Sequence, residues 1–290
     1  MIAVSIVSYN TSSLLKKLLE NLYSQKNLKG LEVWVVDNNS ADDSVEVIKK
    51  NFPKVKLIES KKNLGFAGGQ NLALKKITAP LTLILNPDTN FELDALSKMT
   101  EFMNQNPEIG IASCKITNSS GKLDSNGGDL PFGIALLSWL FNFDAKGIPS
   151  FHRNDEDFFK SKNVGWVGGT FMWVKKEVFD SIGFFNEDYF MYFEDVELCF
   201  KAGQKGFKIG LNPDLKITHI SGASSKNPKL NQWRGEMQGL IKFSFQNSGF
   251  LYGLVVGILV RLALLLRVAA FTILGKLNYS GIYLKVLGSI

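Results

Sequence analysis

Over the first 113 residues, short apolar runs alternate with segments of helical periodicity, and this alternation restricts the chain to few architectures. Apolar residues recur with helical spacing in the segments 12–25, 43–50, 68–76 and 93–104. The apolar runs between them lie at 2–7, 31–36, 55–58, 81–85 and 109–113. Continuous apolar strands separated by helices are typical of a mostly parallel sheet covered on both faces. The alternation therefore predicts a doubly wound α/β domain.

Residues 114–225 are less regular, and we expect them to extend the same sheet with mixed pairings. A glycine-rich turn at 165–170 precedes an apolar run, and further strand and helix candidates follow it. They are a strand at 171–174, a helix at 195–205, and strands at 207–210 and 215–220. This half would place a site above the sheet, so that residues 1–225 form one catalytic unit with a ligand-binding half at 1–113. Residues 226–290 form a tail.

Composition excludes several classes of protein. The chain has 290 residues, of which 45% are hydrophobic and 21% are charged, as in ordinary globular proteins. Disordered, collagen-like and coiled-coil chains are thereby disfavoured. The two cysteines, Cys114 and Cys199, cannot build a disulfide framework, and the first residues lack the features of a signal peptide. We therefore expect a cytoplasmic protein.

The positive charge of the chain is concentrated in the tail. Residues 226–290 hold eight basic residues and one acidic residue, Glu236, whereas the rest of the chain is close to neutral. Such asymmetry favours an anionic surface or ligand. Because the basic residues are interleaved with Leu, Val, Ile and Phe, a membrane is favoured over nucleic acid.

The tail contains an apolar stretch at 250–275, which two arginines interrupt. Its longest uninterrupted run, 250–260, is shorter than the ~20 residues of a membrane span. We expect a helix or helical hairpin in the membrane interface, with basic side chains near anionic headgroups: Lys242, Arg261, Arg267 and Lys276. The alternatives are a helix that packs on the catalytic domain or on a second subunit, including a symmetric homodimer, and, third, a true transmembrane span. The apolar segment at 131–143 is either a second membrane contact or a buried helix.

Polar clusters follow four of the predicted strands, at residues 8–10, 37–40, 63–71 and 86–88. Ligands of parallel α/β sheets bind at the carboxyl ends of strands, so the four clusters would meet in one crevice. Each cluster alone is explained by a turn, but four together favour a ligand site. The glycine-rich stretch at 65–69 has neither the P-loop nor the dinucleotide-binding pattern, which disfavours both of those classes.

Several side chains are candidates for chemistry. Asp88 follows an apolar strand and is either a ligand for Mg²⁺ or Mn²⁺ or a helix cap. Glu194 and Asp195 open a helix, where a carboxylate is either a general base or a favourable charge at the helix N-terminus. His219 ends an apolar strand and is either a metal ligand or a buried histidine. His152 lies in a charged stretch, and we expect it to be solvated.

Taken in order, these stretches resemble the inverting glycosyltransferases of family 2, and within that family the bacterial rhamnosyltransferase-like members. The resemblance covers residues 1–225 and is carried by VSIVSYN (4–10), VVDNNS (35–40), NLGFAGGQN (63–71), LILNPDT (83–89), LDSNGG (123–128), the long stretch 167–201 and ITHISGASS (217–225). It implies the nucleotide-sugar-binding GT-A fold, followed here by a basic apolar helical tail.

The resemblance also implies roles for single residues. Those along the nucleoside and the diphosphate of the donor would be Ser8, Tyr9, Asn10, Asp37, Asn39, Asn63, Gly65, Asn71, Asn86 and Asp88. Asp88 and His219 would hold a divalent cation, Mn²⁺ or Mg²⁺. Asn86 stands where many relatives have the first Asp of a D-x-D element, which leaves one fewer carboxylate.

The catalytic base implied by the resemblance is Asp195, with Glu194 beside it. Trp166, Gly168 and Gly169 would form the loop that approaches the donor sugar and the acceptor. The activity implied is inverting transfer of a sugar, L-rhamnose among the candidates, from dTDP-rhamnose or a UDP-sugar to a saccharide or lipid-linked acceptor. Such a reaction belongs to cell-envelope polysaccharide synthesis at the inner face of the membrane.

Two alternatives stay open at this point: a polyprenyl-phosphate sugar transferase, and a non-catalytic carbohydrate- or nucleotide-binding relative of the same fold. A nucleotidyltransferase is disfavoured, because SYNTSS follows the first strand where that class has a basic glycine-rich loop.

Overall fold

The computed structural model describes residues 1–28, 30–143, 147–161, 163–220 and 228–290. Part of the stretch 217–225 and the predicted boundary at residue 226 lie outside these residues. In the first half the strands are β1 (Ile2–Ser8), β2 (Leu31–Asp37), β3 (Lys56–Glu59), β4 (Leu81–Leu85) and β5 (Thr89–Asn90). The helices are α1 (Ser12–Tyr23), α2 (Ser44–Asn51), α3 (Gly65–Leu74) and α4 (Ala95–Gln105). All predicted elements of this half are present.

The second half adds five strands and four helices among the described residues. The strands are β6 (Ile109–Thr117), β7 (Gly127–Gly128), β8 (Trp166–Val167), β9 (Phe171–Lys175) and β10 (Lys208–His219). The helices are α5 (Gly133–Phe141), α6 (Glu156–Phe159), α7 (Lys176–Ile182) and α8 (Glu194–Gln204). The tail consists of α9 (Pro228–Ser248), α10 (Phe250–Ile273) and α11 (Leu277–Leu287).

Eight of the strands form one sheet in the order β3-β2-β1-β4-β9-β6-β10-β5. The pairs β1–β2, β1–β4, β2–β3 and β6–β10 are parallel. Strand β9 runs antiparallel between β4 and β6, and β5 is antiparallel to β10. The expected mostly parallel sheet with mixed pairings in its second half is thus confirmed. Strands β7 and β8 form a separate antiparallel pair.

Three local predictions were wrong. Helix α3 begins at Gly65 rather than at residue 68, so the glycine run lies inside the helix; a Cβ at Gly69 would come within 2.9 Å of Val7. The glycines thus allow close packing of helix on strand. The two short strands predicted at 207–220 are one strand, β10, with a register shift between Asn212 and Lys216. Strand β6 extends to Thr117, four residues beyond its predicted end.

The apolar segment at 131–143 forms helix α5, and this helix buries one face. Leu136, Trp139 and Leu140 belong to a core cluster on the face of the sheet that α8 also covers. A second cluster on the opposite face includes residues of α1 and α4. The alternative of a buried helix therefore holds for one side of α5, while Ile134 and Leu137 on its other side are exposed.

The tail packs on the catalytic part through one side. Residues of α9, α10 and α11 are buried in the same cluster as α5 and α8: Met237, Leu240, Phe243, Val256, Val260, Ala263, Leu264, Tyr283 and Val286. Within the described residues, α10 is the one helix long and apolar enough to cross a membrane, and a third of its most apolar window is buried against the protein.

The basic residues of the tail do not share one environment. Arg267, expected near lipid headgroups, is 6% exposed. Its guanidinium donates to the Trp139 carbonyl at 3.1 Å and to Asn142 Oδ1 at 3.2 Å, and it lies over the ring of Trp233. The expectation was wrong for Arg267, because that position falls on the face of α10 that packs against α5. Arg261 lies on the exposed side.

Candidate active site

Three of the four polar clusters are joined by hydrogen bonds at the carboxyl edge of the sheet. Ser8 and Asp37 are register partners at the ends of β1 and β2, and the Ser8 carbonyl accepts the Asn38 N–H at 2.8 Å. The hydroxyl of Ser8 is buried and lies 2.8 Å from that of Thr11. Tyr9 follows and is half-buried. The first two polar clusters therefore adjoin, as expected from parallel strands.

The first and second clusters are tied by Asn10. Its N–H donates to Ser40 Oγ at 3.0 Å, and its Oδ1 accepts the Ala41 N–H at 2.7 Å. Asn10 and Asn39 both have positive φ, +55° and +67°, and both are exposed. Asparagine tolerates this conformation better than most residues, so the two loops can present polar groups outward.

Asp37 has an unsatisfied buried oxygen. Its side chain is 3% exposed, and Oδ2 accepts the Ser40 N–H at 3.1 Å. Oδ1 has no hydrogen-bond partner among the described residues. Burying an acceptor without a donor is costly, so such an atom at a ligand edge is suited to accept an N–H or O–H from a bound molecule.

Asn38 is a residue that the sequence reasoning left out of the site. It is 2% exposed, and its Nδ2 donates to Asn63 Oδ1 and to the Gly65 carbonyl, each at 2.9 Å. Its Oδ1 accepts the Leu64 N–H at 2.9 Å. Asn38 thus fastens the third cluster to the second. Its neighbours Asn39 and Ser40 are equally polar, so nothing in the sequence distinguished it.

Gly65 and Asn71 belong to α3 and contact the segment that precedes α8. Gly65 has φ +72°, and a Cβ there would lie 2.0 Å from the Phe190 carbonyl oxygen. The Asn71 amide donates to the Phe185 carbonyl and to Glu187 Oε1, each at 2.8 Å, and its Oδ1 accepts the Phe185 N–H. Both ends of this amide are engaged by the protein.

Asp88 and His219 come together although 131 positions separate them in the sequence. Asp88 Oδ1 lies 3.1 Å from His219 Nε2, and the Asp88 carbonyl accepts the Ile220 N–H. His219 pairs with Thr89 between β10 and β5, and this pairing places the imidazole beside Asp88. Asn86 precedes Asp88, and its N–H donates to the Thr170 carbonyl at 3.0 Å.

The donor set of Asp88 and His219 suits Mn²⁺ or Mg²⁺. A carboxylate oxygen with an imidazole nitrogen is acceptable to Mn²⁺, and both ions are bound with few protein ligands when a diphosphate supplies the others. The described residues contain no cluster of three or more His, Cys, Asp or Glu side chains that could hold a metal. The pair therefore fits a cation that a nucleotide helps to bind.

Glu194 and Asp195 open α8, and Asp195 is held by two amides. Its Oδ2 accepts the Gly169 N–H at 3.1 Å, and its Oδ1 accepts the Val196 N–H at 2.8 Å. Burial raises the pKa of Asp195 to about 6, while these amides oppose the rise. A carboxylate with a pKa near 6 is ionised at neutral pH and is a stronger base than an exposed aspartate.

Glu194 is in a different environment. It is 4% exposed, and its Oε2 has no hydrogen-bond partner among the described residues. Burial, and then the neighbouring charge of Asp195, raise the pKa of Glu194 well above its ordinary value. Of the two carboxyl groups, Asp195 is therefore the better placed to be ionised.

The predicted loop at 166–169 divides into two parts. A Cβ at Gly168 would lie 2.5 Å from Asn126 Oδ1 and 3.5 Å from Asp195 Oδ2, and one at Gly169 would lie 2.7 Å from the Phe66 ring. Gly168 therefore lies beside Asp195, and Gly169 lies beside both Asp195 and Phe66 of α3. Trp166 is 5% exposed, and its indole N–H donates to the Phe151 carbonyl at 2.9 Å. It supports the loop from the core.

His152 is not solvated, contrary to expectation. Its imidazole lies against the rings of Trp139, Phe151 and Trp166. Nδ1 is 3.2 Å from Ser125 Oγ, and Nε2 is 3.5 Å from Glu236 Oε1 on α9. The charged residues around position 152 suggested solvent, but the partner that determines its position is 84 residues away in the sequence.

Known proteins match this chain over most of its length. The model of glycosyl transferase family 2 matches residues 3–183. The low-salt glycan biosynthesis hexosyltransferase of Haloferax volcanii is 26% identical over 251 residues, which are 85% of this chain and 73% of that protein. The N-acetylglucosaminyl-diphospho-decaprenol L-rhamnosyltransferase of Mycobacterium tuberculosis is 22% identical over 233 residues, 76% of each chain.

A solved structure shares the fold. The Pyrobaculum calidifontis mannosyltransferase, determined in complex with GDP-Man and Mn²⁺, superposes with a TM-score of 0.64 at 16% identity. The match covers 99% of this chain and 85% of that one. At this identity the likeness establishes the architecture alone, and it confirms the expected GT-A fold.

Proposed function

The chain belongs to glycosyl transferase family 2, and from this we propose that it is an inverting enzyme that transfers a sugar from a nucleoside diphosphate to a saccharide or lipid-linked acceptor. The observation that carries the proposal is a single short segment, Gly169–Thr170. The Gly169 N–H donates to Asp195, and the Thr170 carbonyl accepts the N–H of Asn86, two residues before Asp88. One segment thus connects the base with the predicted diphosphate site.

In this proposal Asp195 removes the proton from the acceptor hydroxyl. The oxygen forms a bond to the anomeric carbon from the face opposite the nucleotide, the bond from that carbon to the diphosphate breaks, and the configuration is inverted. General-base assistance of this kind is typically worth ~10²–10⁴ in rate. A divalent cation bound by Asp88 and His219 would stabilise the negative charge of the departing diphosphate.

The unpaired Oδ1 of Asp37 supports a nucleotide at the other end of the site. A pyrimidine or guanine base carries an N–H that could donate to this oxygen, and the loops around Asn10 and Asn39 would line the nucleoside. The mycobacterial relative is named for L-rhamnose transfer to a diphospholipid-linked sugar. We therefore propose dTDP-L-rhamnose or a UDP-sugar as the donor.

The tail supports a lipid-linked acceptor at the inner face of the cell membrane. Helix α10 has apolar side chains on its outer side as well as on its buried side, and Leu251, Ile258 and Ile273 are 78%, 66% and 85% exposed. Basic residues in the tail would approach anionic lipids. This arrangement would keep the enzyme beside a substrate confined to the bilayer.

The first experiment is thermal unfolding of the protein with UDP, dTDP or GDP, each with and without Mn²⁺. A ligand at ~100 times its Kd adds about 2.7 kcal/mol to stability. We expect one nucleotide to raise Tm, and Mn²⁺ to increase the shift. The absence of any shift would favour a non-catalytic relative of the fold.

The second experiment measures transfer from dTDP-L-rhamnose, and then from UDP-sugars, to N-acetylglucosaminyl-diphospho-polyprenol. The anomeric configuration of the product, read by NMR, tests inversion. A product with retained configuration would contradict the role of Asp195. With polyprenyl phosphate offered as the acceptor instead, a product in which a single sugar is joined to it would identify a polyprenyl-phosphate sugar transferase.

A further inference from the structure

Two strained residues immediately precede the catalytic carboxylates. Tyr192 and Phe193 have φ of +72° and +74°, and neither is a glycine. Side chains other than glycine persist in this region only where the surroundings hold them. Because Phe193 is followed directly by Glu194 and Asp195, this turn fixes the direction in which α8 begins.

Helix α9 of the tail is what packs against the turn. A Cβ at Gly235 would lie 2.4 Å from Tyr192 Cδ2 and 3.0 Å from the Met191 carbonyl oxygen. One helical turn later, a Cβ at Gly239 would lie 2.6 Å from Phe193 Cβ. At both positions only glycine allows the helix backbone to come this close, so α9 contacts the turn without an intervening side chain.

Further contacts extend this interface along α9. Lys242 Nζ donates to the Asp188 carbonyl at 2.5 Å, and Gln246 Nε2 donates to Asp188 Oδ2 at 3.1 Å. The Tyr189 hydroxyl donates to Gln246 Oε1 at 3.1 Å, and the Phe243 and Phe193 rings are 5.9 Å apart. Helix α9 therefore contacts this segment at both ends, at Asp188 and Tyr189 and at Tyr192 and Phe193, while α3 holds Phe190.

The same helix reaches the other side of the carboxylates through Glu236. This residue is 7% exposed, and its Oε1 lies 3.5 Å from His152 Nε2. His152 acts electrostatically on Asp195, and Glu236 acts on Tyr192. The titratable groups facing Asp195 thus include Glu194 on its own helix, Tyr192 in the turn and His152 in the loop after α5, and Glu236 on α9 in turn faces His152.

We infer that α9 is a positioning element of the active site, which holds the Tyr192–Phe193 turn through Gly235 and Gly239 and thereby aims the Asp195 carboxylate at the acceptor. The inference rests on the proposed transferase function. It gives the tail a second role, distinct from membrane contact: the chain needs α9 for the geometry of its base.

The test compares Gly235→Ala and Gly239→Ala with Gly281→Ala in the full-length protein. Gly281 lies in α11 of the same tail, and nothing lies within 4 Å of a Cβ built there, so it is a matched control. The readouts are kcat and donor KM for the dTDP-L-rhamnose reaction, the pH profile of kcat, and the Tm shift caused by nucleotide with Mn²⁺. If another donor supports transfer, the same measurements use that donor.

We expect Gly235→Ala to lower kcat about 10- to 100-fold, because small displacements of a catalytic group have effects of this size. Donor KM and the nucleotide-induced Tm shift should stay at wild-type values, since the Asp37 and Asp88 side of the site is not touched. The acidic limb of the kcat profile should move to higher pH, because a displaced Asp195 loses the amide donors that lower its pKa. Gly281→Ala should change none of these quantities.

A second-site change separates positioning from general loss of structure. Tyr192→Gly removes the nearest contact of the Gly235→Ala methyl group, the ring at 2.4 Å, and leaves only the milder approach to the Met191 carbonyl oxygen at 3.0 Å. Glycine also adopts φ +72° readily. The double variant should therefore regain the wild-type pH profile. The comparison of Gly235→Ala with the double variant also tests the inference if Gly239→Ala does not fold.

The inference would be overturned if both glycine variants kept the wild-type kcat and pH profile and differed only by a lowered Tm. Helix α9 would then be a purely stabilising helix. Failure of the double variant to regain the profile would also overturn it. A wild-type chain that transfers no sugar, or an Asp195→Asn variant that transfers at the wild-type rate, would instead contradict the proposed function.

Discussion

Glu194 and Asp195 are adjacent carboxyl groups that the fold treats differently. Asp195 accepts two amide N–H groups, whereas Glu194 has an oxygen without a donor in a buried place. Hydrogen bonds to the charged form favour ionisation, and both amide donors act on Asp195. Asp195 should therefore be the ionised member at neutral pH, with Glu194 retaining its proton beside it.

Asp195→Asn should abolish the proposed base while leaving the nucleotide site intact. We expect kcat to fall by ~10²–10⁴, with an unchanged nucleotide-induced Tm shift. In the wild type, kcat should fall as pH decreases through about 6, the raised pKa of Asp195, because the protonated acid cannot accept a proton. A wild-type rate in the variant would remove Asp195 from the reaction.

The same substitution should stabilise the protein at alkaline pH. Since the folded-state pKa of Asp195 is raised from 3.8 to about 6, the stability gained from its protonation is complete below about 3.8 and is lost as pH rises through 6. Asn is neutral throughout. Calorimetry should show a higher Tm for Asp195→Asn than for wild type at pH 8, and no difference near pH 4. A lower Tm at pH 8 would contradict the buried-charge argument.

Asp88 and His219 should be necessary for metal-dependent nucleotide binding. We expect Asp88→Asn and His219→Ala each to abolish the part of the nucleotide-induced Tm shift that depends on Mn²⁺, because each variant removes one of the two proposed protein ligands of the cation. Titration calorimetry with the best nucleotide measures the effect. Asp42→Asn, a carboxylate on the nucleoside side that bonds Ser12 and Ser44, is the control. An undiminished metal effect in both variants would place the cation elsewhere.

At the scale of elements, α3 depends on one glycine. Gly65→Ala would put a methyl group 2.0 Å from the Phe190 carbonyl oxygen at φ +72°, so both the helix start and the segment before α8 must move. The left-handed conformation costs roughly 1–2 kcal/mol for a residue with a Cβ, and the clash adds to it.

Gly121→Ala separates the cost of the left-handed conformation from the cost of the clash, because Gly121 has φ +80° with nothing within 4 Å of a built Cβ. Denaturant unfolding should show a loss of about 1–2 kcal/mol for Gly121→Ala and a clearly larger loss for Gly65→Ala. Equal losses would mean that the Phe190 contact relaxes without cost.

The elements that the sequence predicted well are those whose pattern is local. The alternation of apolar runs and helical spacing located strands β1 to β4, helices α1 to α4 and the start of β6, but not the short strand β5. The polar strand ends predicted a shared ligand edge, and hydrogen bonds join the first three of the four clusters there. The start of helix α3 at Gly65 was missed, because the glycines of this run allow close contact with Val7 and Phe190 and do not form a loop. Local composition does not report such contacts.

Long-range partners account for what the sequence missed in the site. His152 was expected in solvent and Arg267 at a lipid surface, yet their partners, Glu236 and the carbonyl of Trp139, come from distant segments. Asn38 was read as one turn residue among several. The role of α9 was equally invisible, since glycines in an amphipathic tail do not reveal what they approach.

At the scale of the whole molecule, helices α10 and α5 both expose apolar side chains. The outer side of α10 exposes a row at helical spacing: Leu251, Val255, Ile258, Leu262 and Leu265. Helix α5, which contacts α10 through the bond from Arg267 to the Trp139 carbonyl, exposes Ile134 and Leu137 on its other side. Extended apolar surfaces of this kind mark interaction sites. A bilayer suits the apolar surface of α10 better than a second copy of the chain does, because the tail of a second copy would bring the same excess of positive charge.

Introducing charge into this surface should therefore abolish membrane binding without unfolding the protein. In Leu251→Glu/Ile258→Glu both side chains are more than half exposed, so the core is not disturbed, but burying the carboxylates in the interface is unfavourable. Co-sedimentation should show wild-type binding to vesicles of phosphatidylglycerol with phosphatidylcholine and weaker binding to phosphatidylcholine alone. The double variant should stay in the supernatant with an unchanged nucleotide-induced Tm shift.

The control is Leu93→Glu, which places a carboxylate at an exposed apolar position of the catalytic part and should sediment as the wild type does. Added salt should weaken binding of the wild type only partly, because the Debye length of ≈10 Å at 0.1 M screens the basic residues but not the apolar contact. Light scattering distinguishes the remaining alternative. A wild-type dimer that the double variant converts to a monomer, with vesicle binding unaffected, would identify the surface as a subunit interface.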